Sequence, residues 1–257
     1  MRLIGWVFCG ALLMMVIARP SPTMADAAAP LNTDRPAVTN ASPIVPLGAL
    51  QVESGLLATD TAGHYVLDLP ELLLRYGLLE KTEVRLTLPN YFHNLPVPNG
   101  AASGFGDLAP GVQQQLGPLA GFDLWVIAFL SLPTGAQAIS SHGYDPGLQL
   151  PWMRSLPANW TVEGQLAAYW PTEDGSRNFT SEVTLLFDRQ LTAPWDAFIE
   201  YAGDFPQRGG SRQLLHVGTA YKPTPHQQFD FHAAVGLSEA AARWYVGVGY
   251  SWLFLQR

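Results

Sequence analysis

The chain has 257 residues, 48% of them apolar and only 14% charged, with a net charge of −7. A soluble domain carries about 25% charged residues, so water is not the expected solvent of the whole surface. The acidic balance, with only Lys81 and Lys222 as lysines, excludes the basic footprint of a nucleic-acid partner.

The N-terminus reads as a secretory signal peptide over residues 1–27. Arg2 supplies the positive start, Leu3 to Ala18 form an apolar run, and Ala25-Asp26-Ala27 is an A-x-A-like cleavage site. The run is shorter than the about 20 residues a membrane-spanning helix needs, and Arg19-Pro20 closes it. Cys9, the single cysteine, falls inside this segment, so cleavage after Ala27 leaves no disulfide or thiol chemistry. Residues 28–48 are rich in Pro and Ala and contain Asp34-Arg35-Pro36. They are expected to form an irregular periplasmic lead-in to a barrel over residues 49–254.

From there the chain divides into short alternating segments separated by turn residues. The predicted strands are Ala49–Thr59, Val66–Leu78, Thr82–Tyr91, Asp107–Leu116, Phe122–Leu132 and Pro146–Leu156, followed by Trp160–Trp170, Asn178–Gln190, Trp195–Gly203, Arg212–Lys222, Gln227–Leu237 and Trp244–Phe254. No later segment is a long apolar run, so a membrane would be crossed by strands. An even number of strands with short connections on one side and longer ones on the other is the porin-type pattern. The segment Trp160–Trp170 shows the plan most plainly. Trp160, Val162, Gly164, Leu166, Ala168 and Trp170 share one face, and Thr161, Glu163 and Gln165 lie on the other. Ten steps of about 3.3 Å, tilted by about 40°, rise about 25 Å, the height of the apolar band on a transmembrane barrel. Trp195, Tyr201, Trp244 and Trp252 fall on the same parity in their own strands and complete the expected aromatic girdle. The fold class is therefore all-β, an antiparallel up-and-down transmembrane β-barrel of about twelve strands in a bacterial outer membrane.

Several tags along the mature chain resemble an outer-membrane transporter family named after the meta-cleavage pathway of phenol degradation. They are Thr33-Asp34-Arg35-Pro36, Gly48 to Gly55, Glu83-Val84-Arg85-Leu86, Gly104 to Leu108, Ser131 to Gly135, Ala197 to Tyr201 and Val246 to Tyr250. The resemblance implies an outer-membrane barrel with a transport role and an association with aromatic compounds.

The inward parity assigns Glu53, Glu71, Arg75, Glu83, Arg85, Gln113, Gln115, Glu163, Gln165, Glu182, Glu200, Arg212, His216, Asp230 and His232 to the lumen. Acids outnumber arginines there, so an open lumen would favour cations or neutral solutes over anions. The long connection Phe92–Gly106 could fold inward as a constriction, with Phe92, His93 and Phe105 touching an apolar solute. No G-x-S-x-G elbow or H-E-x-x-H helix occurs, so no catalytic residue, metal site or cofactor is assigned. The expected function is passive passage of small neutral or apolar solutes, the expected partners being those solutes and outer-membrane lipid. The alternative is a closed barrel filled with ion pairs, with a structural or partner-binding role. A lipid-modifying enzyme is a further, weaker alternative, because its Ser and His would have to face lipid at one rim.

Overall fold

A computed structural model describes residues 30–61, 63–97 and 100–255; the expected signal peptide lies outside them. The chain forms strands β1 (Leu50–Thr61), β2 (His64–Leu69), β3 (Leu73–Leu79), β4 (Thr82–Thr87), β5 (Tyr91–Val97), β6 (Gly100–Phe105), β7 (Ala109–Leu119), β8 (Phe122–Ser131) and β9 (Asp145–Leu156). There follow β10 (Trp160–Tyr169), β11 (Thr172–Glu173), β12 (Ser176–Arg177), β13 (Thr180–Thr192), β14 (Trp195–Pro206), β15 (Arg212–Thr224), β16 (Gln227–Gly236) and β17 (Trp244–Phe254). Every pairing between strands is antiparallel, and β17 pairs with β1 from Leu50↔Phe254 to Asp60↔Trp244, closing a barrel of twelve wall positions. Closure pairs the first strand with the last; β6 has only β5 as a strand partner, and its other side meets the following loop, where the Ala136 N–H bonds the Phe105 carbonyl at 2.8 Å. β11 and β12 form a separate two-stranded hairpin between β10 and β13.

Three adjacent wall positions are split into a lower and an upper strand. β3 continues as β2, β4 as β5, and β7 as β6, and the upper trio hangs on β1 in the order β1-β2-β5-β6. The predicted single strand Val66–Leu78 thus divides between β2 and β3. Pro70 lacks the N–H a ladder needs, and Glu71 beside it takes a left-handed φ of 44°. Leu88-Pro89-Asn90 and Gly106-Asp107-Leu108 interrupt the next two positions. Asp107 stitches the last break to the following loop, its carboxylate accepting the N–H groups of Thr134 (3.0 Å), Gly135 (2.8 Å) and Ser141 (3.1 Å).

Phe92–Gly106 is therefore not an inward constriction. Its two ends pair as the β5–β6 hairpin and extend the wall, where backbone groups find partners that a free loop in the lumen would lack. Phe105 is exposed and packs edge-on to Tyr91, and His93 is an exposed side chain beside Ser103. Phe92 is half-buried at the level of the breaks.

Residues 30–48 also depart from expectation: they are irregular, but they lie inside the barrel. Leu31, Thr39, Ala41 and Val45 are almost fully buried. The segment enters beside the short β15–β16 turn, where the Leu31 N–H bonds the Pro225 carbonyl at 2.7 Å. It returns at Gly48, whose N–H bonds Gly77 at 2.8 Å, and Leu31, Val45, Ala49 and Leu253 pack together at that end. An inserted hairpin occupies the middle of the lumen and leaves space on either side of it.

The outer surface is apolar, with exposed Leu148, Leu150, Leu166, Leu185, Ile199, Val217, Phe231 and Val248. Trp160, Trp195 and Trp252 stand toward the end with the short turns, while Trp170 and Trp244 stand toward the other. Tyr201 lies between, its hydroxyl bonded to Gln213 at 3.0 Å. Replacing Leu166 with Arg, on the outer face near mid-height, should destabilise the barrel by about 2–4 kcal/mol. The same change at Phe254, at the rim, should cost about 0–1 kcal/mol. Urea unfolding in lipid vesicles measures both.

Candidate functional site

An irregular segment inside a barrel has no neighbouring strand to take its N–H groups, and leaving them unmet costs about 1–3 kcal/mol each. The inward carboxylates meet them. Glu53 accepts the N–H of Arg35 at 3.0 Å and that of Asp34 at 3.4 Å. Glu200 accepts the N–H of Val38 (2.9 Å), the N–H of Thr39 (2.8 Å) and the Thr39 hydroxyl (2.7 Å). Gln165 takes the Asn40 N–H and Glu83 that of Val45. The alternation of β1, β4, β10 and β14 points each of these side chains inward at a height where the hairpin passes.

Side-chain charges complete the hold. Arg75, fully buried, grips Glu83 with two bonds of 2.7 and 3.0 Å and reaches Glu53 at 3.1 Å. Arg85 pairs with Asp34 of the hairpin and with Glu83, and donates to Gln113, whose amide in turn bonds the Ser42 carbonyl at 2.9 Å. Burial alone would push the Asp34 carboxyl up, but Arg85 and Arg75 beside it, with Ser42 donating, hold it down at about 2. Arg35 bonds Glu71 at 2.6 Å and Asp230 at 3.2 Å. Its guanidinium lies flat on Gly55 and Gly249, which face each other across β1 and β17, and a Cβ on either would collide with it. Glu71, the residue with the left-handed φ, is held in place by its ion pair with Arg35.

Glu200 is itself oriented by a line of imidazoles. His216 Nδ1 lies 2.7 Å from Glu200, and His216 Nε2 lies 3.0 Å from His232 Nδ1. A proton on each Nδ1 satisfies both bonds. His232 Nε2 has no partner and faces the bare backbone of Gly247, with no nucleophile bonded to it. The line therefore positions a carboxylate.

Not every inward candidate touches the hairpin. Glu182 is bonded to Gln165 and the Tyr169 hydroxyl above it. Arg212 stands half-exposed at the outer rim with Asp204. Gln115 is half-buried opposite Trp125, a fully buried inward tryptophan that alternation alone did not single out. Glu163 lines a space of about 210 Å³ with Asp188, Asp196 and Lys222, on the side where the hairpin enters. On the other side a space of about 400 Å³ is walled by Leu73, Ala109, Ile127 and Phe129 and floored by Asn40, Arg85 and Gln149. It shares Thr87, Asn90 and Ser131 with a further space of about 400 Å³ at the wall breaks, where Leu88, Phe92, Leu95 and Ile139 are exposed to it. Alternation does not mark the hairpin as part of a site, because residues 30–48 have no period. Its trace in the sequence was Asp34-Arg35, the one charged pair in an otherwise uncharged stretch, facing a wall with surplus acids.

Among solved structures the chain is similar to the COG4313 outer membrane channel from Pseudomonas putida F1, at 14% identity and a TM-score of 0.65, covering 82% of this chain and 97% of that one. The NanC porin matches at 10% identity and a TM-score of 0.57, covering 79% and 98%, and the KdgM porin at 9% and 0.55, covering 79% and 98%. These likenesses show the fold, a closed outer-membrane β-barrel. No curated protein sequence matches the chain. The family described as "Putative MetA-pathway of phenol degradation" matches residues 33–254, which takes in both the lumen hairpin and the whole barrel that grips it, and the chain belongs to that family.

Proposed function

We propose that the protein is a passive outer-membrane conduit for small neutral or apolar solutes, narrowed by its own N-terminal hairpin. The observation that carries this reading is the outer space of about 400 Å³, with aliphatic and aromatic walls over a polar floor made partly by Asn40 of the hairpin. That volume lies at the lower end of small-molecule pockets, about 300–1,000 Å³, which suits a compact solute. The apolar side chains at the wall breaks continue the same surface. The inner space has more acids than bases, which disfavours anions. Purified protein in liposomes should admit small neutral solutes in a swelling assay, with cation preference in planar bilayers. A folded barrel that passes neither sinks the reading.

The density of bonds around Arg75 favours a second reading, a closed barrel with a structural role. Glu200→Gln separates the two. Losing charge-assisted bonds to Val38 and Thr39 should cost about 1.5–3 kcal/mol of stability in either case. A conduit should already conduct as the wild type and change its conductance when the hairpin is loosened, whereas a closed structural barrel should conduct only in the variant. Deleting residues 33–45 provides the upper limit of conductance.

Asp34 adds a pH dependence. Its carboxyl is held below its ordinary value of 3.8, so its contribution to seating the hairpin is complete above about pH 4. It is lost as the pH falls toward about 2. Conductance should rise over that interval in the wild type, and Asp34→Asn should remove part of the step by being loosened already at neutral pH. Single-channel recording between pH 7 and pH 2 on both proteins checks the sign.

A further inference from the structure

Most arginines of the described residues have a carboxylate partner. Arg35, Arg75 and Arg85 are paired in the lumen, and Arg177, Arg212 and Arg243 at the outer rim. Arg154 in β9 and Arg189 in β13 are different. Both occupy the lipid-facing parity of their strands, following Leu148, Leu150 and Trp152 in one and Leu185 and Phe187 in the other. The nearby acids Asp123 and Asp188 sit on the opposite, inward parity, and Asp188 lines the inner space. Two unpaired cations on a lipid-facing surface call for an anion.

The register places them together. Arg154 and Phe187 both pair with Val162 of β10, and Arg189 pairs with Trp160. With strands about 4.8 Å apart and about 3.3 Å per residue, the two Cα atoms stand about 12 Å apart, straddling β10. Each guanidinium rests on an aromatic ring, Arg154 at 5.2 Å from the centre of Phe122 and Arg189 at 5.3 Å from that of Trp160. Such stacking fixes the face of the guanidinium and leaves its N–H edge free for an oxyanion. The pair lies beside the short turn at residues 157–159, at the end where the hairpin enters. Beyond it, toward mid-membrane, Trp152 lies across Gly164, and Leu150, Leu166 and Leu185 continue an exposed apolar track.

We infer that Arg154 and Arg189, with Phe122, Trp152 and Trp160, form a binding site for the phosphate of an anionic phospholipid in the periplasmic leaflet. The headgroup phosphate takes the free N–H edge of one guanidinium, the other, about two strand spacings away, adds positive charge beside it, and an acyl chain runs along the leucine track. The site stands on the outside of the barrel and is independent of what passes through it. An interfacial position keeps the cost of carrying two arginines low, and a bound phosphate replaces the water each would lose.

Native mass spectrometry of the full barrel, released from detergent with equal amounts of phosphatidylglycerol and phosphatidylcholine of identical chains, tests the site. Wild type should retain phosphatidylglycerol several-fold over phosphatidylcholine. Arg154→Gln/Arg189→Gln should retain the two equally while still showing the heat-shifted electrophoretic mobility of a folded barrel. Each single variant carries the same test if the double variant fails to assemble. Equal retention by the wild type, or an undiminished preference in the variants, overturns the proposal. Displacement of phosphatidylglycerol by millimolar inorganic phosphate, with phosphate itself retained, would make it a site for free anions and overturn the lipid assignment.

Discussion

The structure depends on one constraint: a chain segment with no regular structure runs through the inside of a closed sheet, and its N–H groups have no ladder to join. The wall answers with carboxylates and amides. Glu53, Glu83, Gln165 and Glu200 each take backbone N–H groups of the hairpin, so the lumen carboxylates serve main chain as well as arginines. A buried ion pair on its own is weak evidence of stability, since desolvation can cancel the attraction. Here the carboxylates do more than pair. They satisfy main chain that would otherwise make the inserted segment unaffordable.

The same constraint reaches into the wall. Arg35 can lie against β1 and β17 only because Gly55 and Gly249 face each other there. His216 and His232 bond in line to Glu200 and hold it at the angle the hairpin needs. The sequence tags that mark the family also meet in space. Thr33 to Pro36, Gly48 to Gly55, Glu83 to Leu86, Ala197 to Tyr201 and Val246 to Tyr250 all contribute to the grip on the hairpin. Gly104 to Leu108 and Ser131 to Gly135 meet through Asp107 at the edge of the split wall. Residues far apart in the chain thus serve two fasteners, one for the hairpin and one for the break.

The barrel itself was legible in the sequence because alternation is a local signal. Trp160, Val162, Leu166 and Trp170 share a face whatever else the chain does, and the closing strand from Trp244 to Phe254 repeats the plan. The inward positions of Glu53, Arg75, Glu83 and Glu200 follow from the same period. Three features were out of reach of that signal. Splitting of the second, third and fourth wall positions turns on Pro70, Pro89 and Gly106, each of which alone is compatible with a bulge or a turn. The β5–β6 hairpin reads as a loop because Gly, Asn and Pro crowd its sequence. Residues 30–48 have no period at all.

What the sequence determined by itself was the solvent of each face: lipid outside, polar groups within, and twelve wall positions between two aromatic rings. These are properties of single strands and their neighbours, written in steps of two residues. Only the tertiary structure decided what fills the interior. Whether Glu53 meets water, Arg75 or the N–H of Arg35 depends on where a distant, aperiodic segment settles, and that is fixed when the wall closes around it, by the fit of guanidinium to glycine and of N–H to carboxylate.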